Sequence, residues 1–109
     1  MAFVGNPEPA LGAIEGASDA SGAYVVKLLG EIDISNAALL GLALDRMIAE
    51  TDGPIVIDLS ALGFMDSSGI AMLLRAVGST GSVEVRNPSE VVRRIIECTG
   101  LVDILRMTS

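Results

Sequence analysis

The residues best placed to do chemistry are Asp66-Ser67-Ser68-Gly69, one carboxylate and two hydroxyls directly after an apolar stretch. A serine hydroxyl works either as a nucleophile activated by a base or as the acceptor of a phosphate delivered by another protein. The chain contains no histidine, which excludes Ser-His-Asp and Cys-His catalysis and His-ligated metal sites. With no histidine base beside them, neither Ser67 nor Ser68 is equipped to act as a nucleophile. No Gly-rich loop ending in Gly-Lys-Ser or Gly-Lys-Thr is present, so no sequence motif supports nucleotide binding. A serine hydrolase and a nucleotide-binding domain therefore both lack the residues they need. Asp58 and Asp66 make a poor acid–base pair, because strand alternation and the intervening loop separate them.

Local sequence leaves two readings of the Asp-Ser-Ser-Gly run. Ser and Asp are favoured at helix N-termini, where Ser67 or Ser68 would cap free N–H groups and Asp66 would meet the positive end of the dipole. The alternative is phosphorylation. A phosphate there would find N–H donors, so the fold should tolerate it, and would meet like charge on Asp66.

The elements that must hold this run follow from periodicity. Residues 10–18 form a weak first strand interrupted by Gly12 and Gly16, and Ala23 to Leu29 a better one ended by Gly30. Ser35 or Asn36 caps a helix reaching Glu50, with Leu39, Leu40, Leu42, Ala43, Met47 and Ile48 on a broad apolar face. Asp52-Gly53-Pro54 is a turn, and Ile55 to Leu59 an apolar strand of the kind buried inside a parallel sheet. A helix after Asp66 runs through Ile70, Leu73, Leu74 and Val77 to Gly78. Val83 to Arg86 is a strand. Asn87 caps the next helix, with Pro88 at its first position and Gly100 as its stop. Leu101 to Met107 forms a short last helix. The order β-β-α-β-α-β-α-α implies an α/β domain whose sheet is mostly parallel, with an antiparallel first pair. In such sheets the loop after a strand's C-terminal end carries function.

Composition bounds the rest. A chain of 109 residues suits one domain. Residues 1–9, with Gly5, Pro7 and Pro9, read as a flexible lead-in, and residues 10–109 as the domain. Apolar residues make up 50% and charged residues 19%, enough for a modest core and against intrinsic disorder. With no Trp, one Tyr and two Phe, that core must be aliphatic. The net charge of -7 argues against binding a phosphate backbone. It is uneven: residues 1–69 hold ten acids and two bases, residues 70–109 four acids and five bases. A single cysteine, Cys98, excludes an internal disulfide, and its place in an apolar helical pattern predicts a buried, inert thiol. The N-terminus lacks a secretory pattern and no apolar run reaches membrane-spanning length, so a cytoplasmic protein is expected. The methionines Met47, Met65, Met72 and Met107 fall at core positions.

The run Leu62-Gly63-Phe64-Met65-Asp66-Ser67-Ser68-Gly69-Ile70 resembles the signature loop of the STAS-domain family, the bacterial anti-sigma factor antagonists. Gly30-Glu31-Ile32-Asp33 resembles the family's Gly-Glu-Leu-Asp after the second strand. Asn87-Pro88-Ser89 is similar to its Ser-Pro turn, and Cys98-Thr99-Gly100-Leu101-Val102-Asp103-Ile104-Leu105 to its Ser-Gly-Leu ending. The likeness implies a STAS-like single domain with roughly four or five strands and about four helices.

It also implies partner switching. The unphosphorylated antagonist binds an anti-sigma factor that is also a serine kinase and so frees the sigma factor. Phosphorylation ends the complex, and a serine phosphatase restores it. The phosphorylated serine maps to Ser67, and partner binding to Asp33, Asp66, Ser67, Ser68 and Gly69. No catalytic residue, cofactor, metal, nucleic acid or membrane contact is implied, and the chain is expected as a monomer or weak dimer. The other function within the family is a stand-alone STAS module, either a stress-complex scaffold subunit or a small partner of a transport ATPase.

Overall fold

The computed structural model describes residues 12–81 and 83–108. The lead-in expected over residues 1–9, and the start of the expected first strand, lie outside them. Five strands form one sheet in the order β1-β2-β3-β4-β5: β1 (Ala13–Ser18), β2 (Tyr24–Ile32), β3 (Ile55–Met65), β4 (Val83–Arg86) and β5 (Met107–Thr108). The helices are α1 (Ala37–Ala49), α2 (Ser67–Ser79) and α3 (Glu90–Thr99). β1 pairs antiparallel with β2, and every other pair is parallel. The parallel pairs are separated by helical crossovers, as parallel strands require.

The core is aliphatic. Val26, Leu28 and Ile32 of β2 and Ile57, Leu59, Leu62 and Met65 of β3 are buried with Leu44 of α1, Leu73 of α2 and Ile96 of α3. Met72 is buried too, and Met47 and Met107 pack partly buried against this cluster. Among the described residues no polar or charged side chain is buried.

β3 is the element that differs most from expectation. It runs on past Leu59 to Met65 and ends immediately before Asp66. Two bulges explain why alternation hides this. Opposite Lys27 to Leu29, β3 advances from Asp58 to Ala61; opposite Gly30 to Glu31, it advances from Leu62 to Phe64. Each inserts an extra residue, so buried positions fall at Leu59, Leu62 and Met65 rather than at every second residue. Asp58 shapes the first bulge, its Oδ1 accepting from the Ser60 N–H at 2.9 Å. Gly30 does not end β2. It sits at φ +81° inside the strand, a conformation glycine adopts without steric cost, at the second bulge.

Three further expectations need correction. Leu101 to Met107 is not a helix: turns over residues 102–106 lead into the two-residue β5 beside β4. Arg106 braces that edge, its Nη1 donating to the Val83 carbonyl at 3.0 Å. Asn87 does not cap α3. It lies at φ +56°, and Ser89 is the cap, accepting from the Val92 N–H at 3.3 Å. Cys98 is exposed, because α3 buries the side that carries Val92 and Ile96. Gly100 does stop the helix, in the left-handed region.

Candidate functional site

Parallel pairing of β2 and β3 builds the site. Ile32 faces Met65 in register, so Asp33 and Asp66 leave neighbouring strands at the same end of the sheet. The Asp66 N–H donates to the Ile32 carbonyl at 3.1 Å, which ties the two exits together. The strand-end placement puts both acids on one rim of the sheet.

Asp66, not Ser67 or Ser68, is the N-cap of α2. Its extended backbone leaves the carboxylate free to turn back, and Oδ1 accepts from the Ser68 N–H at 2.8 Å. Its carbonyl accepts from the N–H groups of Gly69 and Ile70 at 3.0 and 3.1 Å. The donors expected to await a phosphate are therefore largely engaged already. Asp66→Ala is expected to destabilise the domain by about 1 kcal/mol, lowering Tm by about 5 °C, while Asp66→Asn keeps most of the cap. Thermal denaturation followed by circular dichroism checks this.

Ser67 is the first residue of α2 and is exposed; among the described residues its hydroxyl has no hydrogen-bond partner. Ser68 is half-buried beside it. Gly69 is buried beneath the loop rather than displayed on the rim: a Cβ there would lie 2.8 Å from the Met65 Cβ and 3.3 Å from the Ile32 Cγ2. Its place in the site is to let α2 pack against both strands.

Asp33 organises the other loop. Its Oδ1 accepts from the Ser35 N–H at 2.8 Å and from the Ser35 hydroxyl. Asn36 is the N-cap residue of α1, one of the two expected, although its side chain makes no capping hydrogen bond. Its side chain accepts from the Asp33 N–H at 3.0 Å and donates to the Glu31 carbonyl at 2.9 Å. Sequence reading missed Ser35 and Asn36 as supports, although Asp-x-Ser-Asn is the kind of short polar run that folds on itself. It also missed Ser89, whose hydroxyl donates to the Leu62 carbonyl at 2.8 Å and so anchors α3 to the bulged part of β3.

The Ser35 hydroxyl and N–H hold the Asp33 carboxyl below its ordinary value of 3.8. A depressed carboxylate contributes stability that is fully present above the unfolded value and is lost as pH falls through the folded one. The Asp33–Ser35 turn is thus expected to hold above about pH 4 and to loosen below it. A carboxyl NMR titration should show Asp33 moving back up toward 3.8 in Ser35→Ala.

Two concavities flank α1 and α2. The larger, about 740 Å³, lies between the C-terminal ends of both helices, at the far end of α2 from Ser67. The smaller, about 280 Å³, is a shallow groove between the helices that begins at Ala37 and Ser68. Among the described residues no group of His, Cys, Asp and Glu could hold a metal ion, and no helix is long and apolar enough to cross a membrane.

Comparison with known proteins fits this arrangement. A family model described as Mlab, STAS domain matches residues 16–106. The anti-sigma-F factor antagonist RsfB of Mycobacterium tuberculosis is 34% identical over 95 residues, covering 84% of this chain and 78% of that protein. The crystal structure of an anti-sigma factor antagonist from Mycobacterium paratuberculosis superposes with a TM-score of 0.80 at 30% identity, covering 91% of this chain and 86% of that one. The unphosphorylated form of the anti-sigma factor antagonist SpoIIAA shares the fold, with a TM-score of 0.67 at 24% identity over 89% of each chain. By the span of the family model and the identity to RsfB, the chain belongs to the STAS-domain family of anti-sigma factor antagonists.

Proposed function

We propose that this chain is an anti-sigma factor antagonist that binds, unphosphorylated, an anti-sigma factor acting also as a serine kinase, and that phosphorylation of Ser67 dissolves the complex. The observation that carries the reading is an exposed, unbonded Ser67 hydroxyl at the head of α2, beside Asp66 and on the same rim as Asp33. It gains weight from the names of the relatives, RsfB and the M. paratuberculosis protein, both anti-sigma factor antagonists. The partner brings the ATP and the kinase chemistry; this chain brings the acceptor hydroxyl and a rim of acids that attracts a basic surface. A serine phosphatase resets it. The chain works as a binding protein in the cytoplasm, without contact to nucleic acid, as a monomer or weak dimer.

The local physics favours a switch of charge over a switch of fold. The N–H groups of Ser68, Gly69 and Ile70 are already taken by Asp66. A phosphate on Ser67 therefore stays at the surface, adding about -1.5 to -2 charge beside Asp66. Incubation with purified anti-sigma factors and ATP, followed by mass spectrometry, tests the reading. Phosphate on Ser67 and on no other residue is expected. A kinase that binds the chain but leaves Ser67 unmodified would refute it.

The description of the matching family model, which names Mlab, favours a second reading, a STAS module serving some other assembly. A stable complex with a non-kinase partner, unaffected by Ser67→Glu, is its signature.

A further inference from the structure

The face of α1 that was expected to be core is partly turned outward. Ile34, in the turn leading into α1, is 83% exposed, Leu39 73% and Leu42 63%. Ala38 and Leu42, four residues apart, lie along one stripe of α1, and Ile34 stands in the turn before it. Leu39 widens the stripe. α1 buries Leu40, Gly41 and Leu44 instead. A run of large aliphatic side chains left in water on one helix face marks a contact surface rather than scattered exposure.

Ala38 belongs both to this stripe and to the wall of the 280 Å³ groove between α1 and α2. Ala38, Gly41 and Ala71 supply its small walls and Met72 its floor. Gly41 keeps it open, since a Cβ there would already touch the Met72 Cγ at 3.5 Å. The two ends differ in charge. One opens at Ser68, beside Ser67, Asp66 and Asp33. At the other, Arg75 is neutralised by Asp45 through a 2.6 Å ion pair. An occupant thus meets uncompensated acid at the Ser67 end only.

We propose that the α1–α2 groove, with Leu42 next to its wall residue Ala38 and Leu39 and Ile34 exposed beyond, receives an amphipathic helix of the anti-sigma factor, oriented by a Lys or Arg at the end nearest Ser67. This rests on the reading above and names the surface beyond the serine that holds the same partner. A helix laid in a groove presents apolar anchors at i, i+3 and i+4, matching a shallow channel with small walls. Charge decides between partners. Asp33 and Asp66 call for a basic residue, and two copies of a chain at net -7 repel each other as wholes. The arrangement also couples docking to the switch, because the helix end that carries the cation lies where the phosphate would be added.

The test uses the full chain and a purified anti-sigma factor that the wild type binds. Ala71→Arg fills the groove from an exposed position, and Leu39→Gln with Leu42→Gln strips the edge; neither touches the buried core. Both are expected to weaken binding at least about 30-fold, with unchanged circular dichroism. A photo-crosslinking residue at position 42 should attach to a helix of the anti-sigma factor. Wild-type affinity in both variants overturns the groove while leaving the Ser67 switch standing. A wild-type chain that binds no anti-sigma factor overturns both. A wild-type dimer that becomes a monomer on Ala71→Arg makes a second copy the occupant and also overturns the proposal.

Discussion

Ser67→Glu is expected to bind the anti-sigma factor about 100-fold more weakly than wild type, while Ser67→Ala binds as wild type does. The factor corresponds to about 2.7 kcal/mol, within the reach of one poorly solvated like-charge contact. Its source is desolvation: in the complex a third anion is packed beside Asp33 and Asp66 without the water that screens their mutual repulsion in the free chain. Asp33 and Asp66 already occupy the rim, and Asp66 is held there by its bond to the Ser68 N–H. It cannot swing away from a third anion without giving up its cap. Glutamate carries less charge than phosphate, so the modified protein should bind more weakly still. Higher salt should narrow the gap between Glu and Ala, since exposed charges are screened beyond about 8 Å at physiological ionic strength. Titration calorimetry at two salt concentrations reads both effects. Equal affinity of the Ala and Glu variants would remove charge as the cause.

Gly69→Val is expected to cost about 3 kcal/mol and lower Tm by about 15 °C. The first atom added already collides. A Cβ would lie 2.8 Å from the Met65 Cβ, 3.2 Å from its Sδ and 3.3 Å from the Ile32 Cγ2. The Met65 Cβ is fixed to the backbone of β3, so relief requires α2 to move off the sheet. Gly69→Ala is the milder probe. It gains about 1 kcal/mol of helix propensity against an overpacking cost of about 1–3 kcal/mol, and should come out near neutral or modestly destabilised. Moving α2 also moves Ser67, so Gly69→Val should impair phosphorylation even where it remains folded. Denaturant unfolding together with the kinase assay separates these two losses.

Much of this was legible in the residues. Ile55-Val56-Ile57 announces a buried parallel strand, and Asp66-Ser67-Ser68-Gly69 announces a helix start. The placement of Asp33 and Asp66 on one rim followed from strand order, because consecutive parallel strands end on the same side. What escaped reading depends on partners distant in sequence. The length of β3 was hidden by bulges whose register is set by β2. Asn87-Pro88 reads as a cap followed by a first helical residue, yet Ser89 caps because its hydroxyl also reaches the Leu62 carbonyl, 27 residues away. Leu39 and Leu42 looked like core, since periodicity counts apolar residues without knowing which side of α1 faces the sheet. The end of the chain misled for a related reason: Leu101 to Leu105 has helical spacing, but the pull of the β4 edge ends it in a strand.

The second bulge gives β3 a tolerance that strict alternation would deny it. Gly30 faces Leu62 and Glu31 faces Phe64, so Gly63 is the residue in excess and has no partner in the register. Taking it out would leave Leu62, Phe64 and Met65 alternating inward, outward and inward, with Met65 still opposite Ile32. A shortened strand would thus still deliver Asp66 to the same rim. What must match between β2 and β3 is the pairing at their ends, not the number of residues each uses to reach it.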